Sequence, residues 1–209
     1  MAAASELFDV LDELGSTTGV TKERACVHAD GDWHRALHLW VLGPGAAGGY
    51  SVLFQRRSEH KDTNPGLLDV SVGGHFRAGE DFGAVLRETD EELGFTVSPV
   101  ELEHLHDRQV ERTYPGITDR EFQHVYMTVR DVPLESYTPG CAEVTVVYEV
   151  PLLAALELYE HGTPVAAAGW DCQGRNNNAL LYDADLIPET RPEIIADLKA
   201  IVERVGVGR

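Results

Sequence analysis

Apolar residues along the chain fall into short clusters whose spacing separates strands from helices. Leu7-Phe8-Asp9-Val10-Leu11-Asp12 reads as a short strand, turned back at Gly15-Ser16-Thr17-Thr18-Gly19. His34–Leu42 is apolar enough for a buried strand, and Tyr50–Gln55 is another beyond the Gly43–Gly49 loop. Leu68–Val72 leads into a glycine turn. Glu101–Arg112 and Glu121–Val129 read as strands, the second with good alternation, and Val144–Val150 as a final one. Pro151 opens a helix that runs through Tyr159, with proline at a tolerated first-turn position. Gly162–Asn178 shows no clear period and is expected to be irregular, while Pro192–Val205 predicts a C-terminal helix. Strands flanking two or three helices predict an α/β fold in which a mixed sheet lies between helices.

The segment from Gly73-Gly74-His75 to Phe95 carries the most chemistry. At about 100° per residue, Phe82, Val85, Leu86, Thr89 and Leu93 form one narrow stripe that would face a core. Glu88, Glu91 and Glu92 share an adjacent arc of roughly 100°, and Asp90 falls on the far side of the stripe. Glu88 and Glu92 are like charges one turn apart, and carboxylates near a helix C-terminus oppose the macrodipole. Gly94 suits the position that ends such a helix. A hard divalent cation would reverse these costs, since Mg²⁺ and Mn²⁺ prefer oxygen ligands. A solvated acidic face is the plain alternative.

Composition narrows the field. The 209 residues predict one domain over 1–209, with 160–209 a less recognisable C-terminal extension that includes the terminal helix. The net charge of −18 argues against a nucleic-acid polymer or an anionic membrane surface as partner. Cys26, Cys141 and Cys172 are odd in number and widely spaced, so free or buried thiols in a reducing cytoplasm are expected. No apolar run approaches the roughly 20 residues of a membrane span, and the first residues lack signal-peptide character.

Gly74, Glu80 and Arg87-Glu88-Thr89-Asp90-Glu91-Glu92-Leu93-Gly94-Phe95 together resemble the Nudix box. The chain has one residue fewer than the box between Glu80 and Arg87, and Thr89 stands where the box has an apolar residue. More specifically, the chain is similar to the Nudix branch of isopentenyl-diphosphate isomerases and their hydrolase-like relatives. Four segments carry this likeness: Phe8–Asp12 with His28–Arg35, Gln55–Asp62 with Pro65-Gly66, the box, and Asp119–Tyr126. The resemblance implies a Nudix-type α/β/α sandwich with a central mixed sheet. It also implies a Mg²⁺- or Mn²⁺-dependent hydrolase of a phosphoanhydride bond in a nucleoside diphosphate derivative or other organic diphosphate. The isomerases place a catalytic cysteine in the segment matched by Ser71-Val72-Gly73-Gly74-His75, which has none. The likeness therefore favours hydrolysis over isomerisation.

Within that resemblance, Glu88, Glu91 and Glu92 are the expected metal ligands. Glu91 and Glu121 are the candidate proton acceptors. Arg57 and Lys61 match diphosphate-binding positions; His75, Arg77 and Arg120 are further candidates for the substrate. His28, His34 and His75 match positions near the isomerase's second metal site, although a lone histidine is more often structural. Asp119 and Glu121, two apart on a strand, would share a face. Trp33, Trp40, Tyr126 and Trp170 are offered as stacking surfaces, with core packing the default. A non-catalytic diphosphate-sensing module and an acidic interaction protein stand as alternatives, the first prompted by the shortened box. A homodimer is left open.

Overall fold

A computed structural model of the chain describes residues 6–45 and 48–206. Part of the expected Gly43–Gly49 loop thus lies outside the described residues. The chain starts with β1 (Leu7–Leu11) and β2 (Thr17–Glu23), an antiparallel pair. Next come α1 (Arg24–Asp30), β3 (Trp33–Pro44), β4 (Tyr50–Arg57) and the short strands β5 (Leu68–Asp69) and β6 (Val72–His75). The acidic segment forms α2 (Phe82–Val85) and α3 (Arg87–Leu93). A long hairpin, β7 (Glu103–Tyr114) and β8 (Ile117–Val129), is followed by β9 (Val144–Pro151) and α4 (Leu152–His161). The chain closes with β10 (Val165–Asp171), β11 (Ala179–Leu181) and α5 (Arg191–Val205).

The strands form a mixed sheet in the order β11-β10-β9-β4-β3-β1-β2, with β5 on β4, β6 and β8 on β3, and β7 on β8. The β3–β8 pair is parallel, and the other pairs between these strands are antiparallel. Leu37, Leu39, Trp40, Val41 and Leu42 of β3 are all buried, as expected of a strand covered on both faces. Trp40, Phe54 and Tyr148 pack with Leu158 of α4 and with Ile194, Leu198 and Ile201 of α5. Leu37, Leu39, Val41 and Leu53 pack with Val85, Leu86 and Leu93 of the acidic segment. Helices therefore cover both faces, which is the α/β/α sandwich with a central mixed sheet.

Three expectations need correction. The helix over 82–93 is not continuous: it breaks at Leu86, whose ψ of −7° leaves the ideal helical region. The stretch 162–178 is not wholly irregular. Val165, Ala167, Gly169 and Asp171 are buried while Ala166 and Ala168 are exposed, the alternation of a strand. Alanine and glycine carry little strand propensity, so that period is faint in the sequence. Finally, the three cysteines are not all free thiols. Cys141 and Cys172 form a disulfide, their Cα atoms 5.2 Å apart, and Cys26 is the exposed free thiol. The two partners are 31 residues apart and come together only because β10 lies beside β9.

Leu198 is fully buried between α5 and the sheet. Leu198→Ala should cost about 3 kcal/mol of unfolding free energy through lost burial and a cavity, measured by urea denaturation. A loss under about 1 kcal/mol would show that the C-terminal helix contributes little to the core.

Candidate active site

The box makes a close contact between α3 and β6. A side chain at Gly74 would occupy the space taken by Cγ and Cδ of Glu88. The amide of the next glycine, Gly73, donates to Oε2 of Glu92 at 3.0 Å, and Gln55 Nε2 donates to the same oxygen at 3.2 Å. Glu92 is buried, and burial pushes its carboxyl pKa up to about 8. Burial also raises Glu88, against the opposing pull of its ion pair with Arg87. Glu91, by contrast, is half exposed and lies 3.5 Å from Arg77 and 3.4 Å from Arg87. Asp90 is exposed, as its place across the stripe predicts.

The two departures from the box are absorbed locally. Despite the missing residue, Glu80 still reaches Arg87, with Oε1 3.0 Å from Nε. Its Oε2 also accepts from the Arg77 amide at 2.8 Å. Arg87 in turn donates to the His75 carbonyl at 3.1 Å. Glu80 is thus a brace for the turn and not a wall of the cavity. The helix breaks at Leu86, within the shortened stretch between Glu80 and Arg87. Thr89 is fully buried, and its hydroxyl lies 2.8 Å from the Leu86 carbonyl and 2.7 Å from the Phe95 carbonyl. The polar atom therefore has a partner in the apolar stripe.

A second group forms where β6, β3 and β8 lie side by side. His34 of β3 is the register partner of Glu121, and Ala36 that of both His75 and Gln123. Ligand atoms of His28, His34, His75 and Asp119 all lie within 4.8 Å of one another. His34 Nε2 is 3.5 Å and His28 Nε2 3.8 Å from Asp119 Oδ1, distances that fit ion pairs only if the rings are charged. They are not: burial lowers His28 to about 3 and His34 to about 4. Those three atoms are buried without a hydrogen-bond partner. Burial, with the Glu121 charge beside it, pushes Asp119 up to about 7. His75 is different. Burial opposes its charge, but a 2.9 Å hydrogen bond to Glu121 outweighs that and raises its pKa. For Glu121, too, burial is outweighed by His75, and its carboxyl is held well below the usual range. Neutral imidazoles and a carboxylate with orphaned lone pairs fit a divalent transition metal, which would satisfy all three atoms at once.

Both groups open on one cavity of about 760 Å³. Arg57, Lys61, His75, Arg77, Glu88, Glu91, Glu92, Asp119 and Glu121 all line it. Arg57 Nη1 is held by Asp69 at 2.8 Å, and Lys61 is ion-paired with Glu143. The lining includes nine carboxylates and five Arg or Lys side chains, so an anion entering it meets net negative charge unless a cation enters too. Arg120 is a correction: it alternates to the other face of β8, bound to Glu111 at 2.9 Å and to the Gly31 carbonyl at 3.2 Å. Trp33, Trp40, Tyr126 and Trp170 are not among the lining residues. Sequence reasoning missed Gln55, Arg112 and Gln123. Only Gln123 had a usable signal, two residues from Glu121 on the same strand face.

Comparison with known proteins gives the family. The NUDIX domain family model matches residues 32–164. The chain belongs to the Nudix family. It is 39% identical over 153 residues to "Nudix hydrolase 3" of Arabidopsis thaliana, covering 71% of this chain and 19% of that protein. It is 37% identical over 133 residues to an uncharacterized Nudix hydrolase of Clostridium acetobutylicum, covering 64% of each. The chain therefore spans less than two thirds of these two relatives. Identity to an isopentenyl-diphosphate Delta-isomerase of Clavibacter sepedonicus is 31% over 172 residues, 81% of this chain and 86% of that one. Such relatives place the chain on the isopentenyl-diphosphate-isomerase-like branch of the family. The fold matches the NUDIX domain of Shewanella oneidensis NrtR, crystallised with ADP ribose, at a TM-score of 0.52 and 16% identity, covering 83% of this chain and 88% of that one.

The raised pKa of Glu92 has a sign. A carboxyl whose folded pKa exceeds its unfolded value contributes stability that is present at low pH and lost as pH rises, here between its ordinary value of 4.5 and about 8. Glu92→Gln removes that loss. In cation-free buffer the variant should gain roughly 1–3 kcal/mol over the parent at pH 8.5 and much less at pH 5. Urea unfolding at the two pH values measures it, and an equal difference at both would contradict the buried, uncompensated carboxyl.

Proposed function

We propose that the protein hydrolyses a phosphoanhydride bond in a small organic diphosphate, such as a nucleoside diphosphate derivative, with Mg²⁺ or Mn²⁺ held by Glu88, Glu91 and Glu92. The observation that supports this most is the convergence of the box carboxylates with Arg57, Lys61 and Arg77 on one cavity. The bound cation would neutralise charge on the phosphate oxygens and make an attacking water more acidic. Arg57 offers a planar fork to phosphate oxygens, pre-aimed by Asp69 and the Thr63 carbonyl. Lys61 offers a mobile point charge. Glu121, kept ionised by His75, and the more exposed Glu91 would be the carboxylates that take the water's proton. His28, His34, His75 and Asp119 would hold a second divalent ion, and the orphaned atoms of His28, His34 and Asp119 support this.

Isomerisation is the less favoured chemistry. It protonates and deprotonates carbon, and no cysteine lines the cavity among the described residues. The test is purified protein with Mn²⁺ against nucleoside diphosphates, nucleotide sugars, ADP-ribose and prenyl diphosphates, with phosphate-containing products quantified. Turnover of at least one diphosphate is expected, and Glu92→Gln should lower it roughly 100-fold or more. Binding without turnover, seen as ligand-induced thermal stabilisation, would leave a sensing module instead.

A further inference from the structure

Among the described residues, α5 contributes none to the cavity wall, yet it is joined to the site by buried polar contacts. Asp197 on α5 is fully buried. It accepts from Trp40 Nε1 at 3.0 Å and from Arg108 Nη1 at 2.5 Å, and His106 Nε2 lies 3.0 Å away. Arg108 sits directly across β7 and β8 from Gln123. Its Nε donates to Gln123 Oε1 at 2.6 Å. Gln123 is fully buried, and its Nε2 donates to Glu121 Oε2 at 2.5 Å. The other oxygen of Glu121 meets His75 Nε2 at 2.9 Å.

The chemistry of the groups fixes the direction of this chain. Arginine has donors only, so Arg108 requires the oxygen of the Gln123 amide. The amide NH₂ must then face Glu121. Arg108 Nη2 lies 3.2 Å from His38 Nδ1, which must likewise accept. Burial keeps that imidazole neutral, with a pKa lowered to about 4. A second, looser arm runs from α5 through Glu193 Oε1 to Arg112 Nη2 at 3.2 Å, with Arg112 Nη1 3.9 Å from Glu121 Oε2. A buried charge pair contributes little net stability compared with apolar side chains of similar volume. Its position behind Glu121 points to a role in aiming that carboxylate.

We propose that Arg108, anchored by Asp197 of α5, is a positioning residue that fixes Glu121 through Gln123 and so sets the affinity of the His28, His34, His75 and Asp119 cluster for a divalent transition metal. This rests on the proposal above that the cluster holds a cation. Partners behind metal ligands typically carry 10- to 100-fold of affinity.

Absorbance titration of the full chain with Co²⁺ tests it, with His28→Ala as the variant that removes a ligand. The parent should bind Co²⁺ through imidazole, and His28→Ala should lose that signal. Arg108→Met and Gln123→Met should each weaken Co²⁺ binding about 10- to 100-fold. The double variant should bind no more weakly than the weaker single, because both lie in one chain of contacts. Absence of imidazole-type Co²⁺ binding in the parent would overturn the cation site itself. Parent-like Co²⁺ affinity in Gln123→Met would overturn the positioning role alone, as would additive losses in the double variant. A purely structural role would lower the metal-free melting temperature and leave the Co²⁺ affinity of folded protein unchanged. Gln123→Met keeps the Asp197–Arg108 pair and the volume, so it decides the matter even where Arg108→Met does not fold.

Discussion

Glu88 can lie against β6 only because Gly74 has no side chain there. That single close approach lets α3 sit low enough for the Gly73 amide to reach Glu92. It also brings Arg87 under the His75 carbonyl. The apolar stripe of the helix then drops into the cluster around Leu37, Leu39 and Leu53. Packing and chemistry are satisfied by one helix because its two faces are set by one register. The cost is borne by the carboxylates, which are raised in pKa by the same burial that places them. A fold that holds acids in this way is less stable without a cation than it could be, the usual exchange of stability for a prepared site.

Much of this was legible in the sequence, for reasons specific to each element. The strands β3, β4, β8 and β9 are rich in branched and aromatic residues, and their positions are read directly. The division of Glu88, Glu91 and Glu92 from Asp90 follows from helical geometry alone. Other features depend on long-range contacts that no local pattern encodes. The break at Leu86 has no signal in the periodic stripe, which runs through Val85, Leu86 and Thr89 without interruption. β10 hides behind alanines, and the Cys141–Cys172 bond depends on where β10 lies. The side of the strand on which Arg120 falls is fixed by its neighbours Asp119 and Glu121, and the alternation rule applied to them also excludes it from the cavity.

The two candidate metal-binding groups differ in kind. One is a set of oxygen donors on a helix, braced by arginine. The other is a set of imidazoles and a carboxylate on adjacent strands and α1, braced along the same face of the sheet by Gln123 and Arg108. Hard cations suit the first and borderline ones the second. The mixed sheet makes the second possible, because the parallel pairing of β3 with β8 sets His34 beside Glu121.

Arg57 and Lys61 each have an acidic partner in the structure, Asp69 and Glu143. Entry of a phosphate group into their reach is then a competition between anions for the same cations. A weakly charged ligand would gain little by displacing a carboxylate, whereas the proposed diphosphate, accompanied by its own cation, would bring more charge to the exchange. If the proposed function holds, the cavity would in this sense filter by charge density before any shape is tested. Ionic strength would act on the filter by weakening the resident pairs and the incoming ligand together.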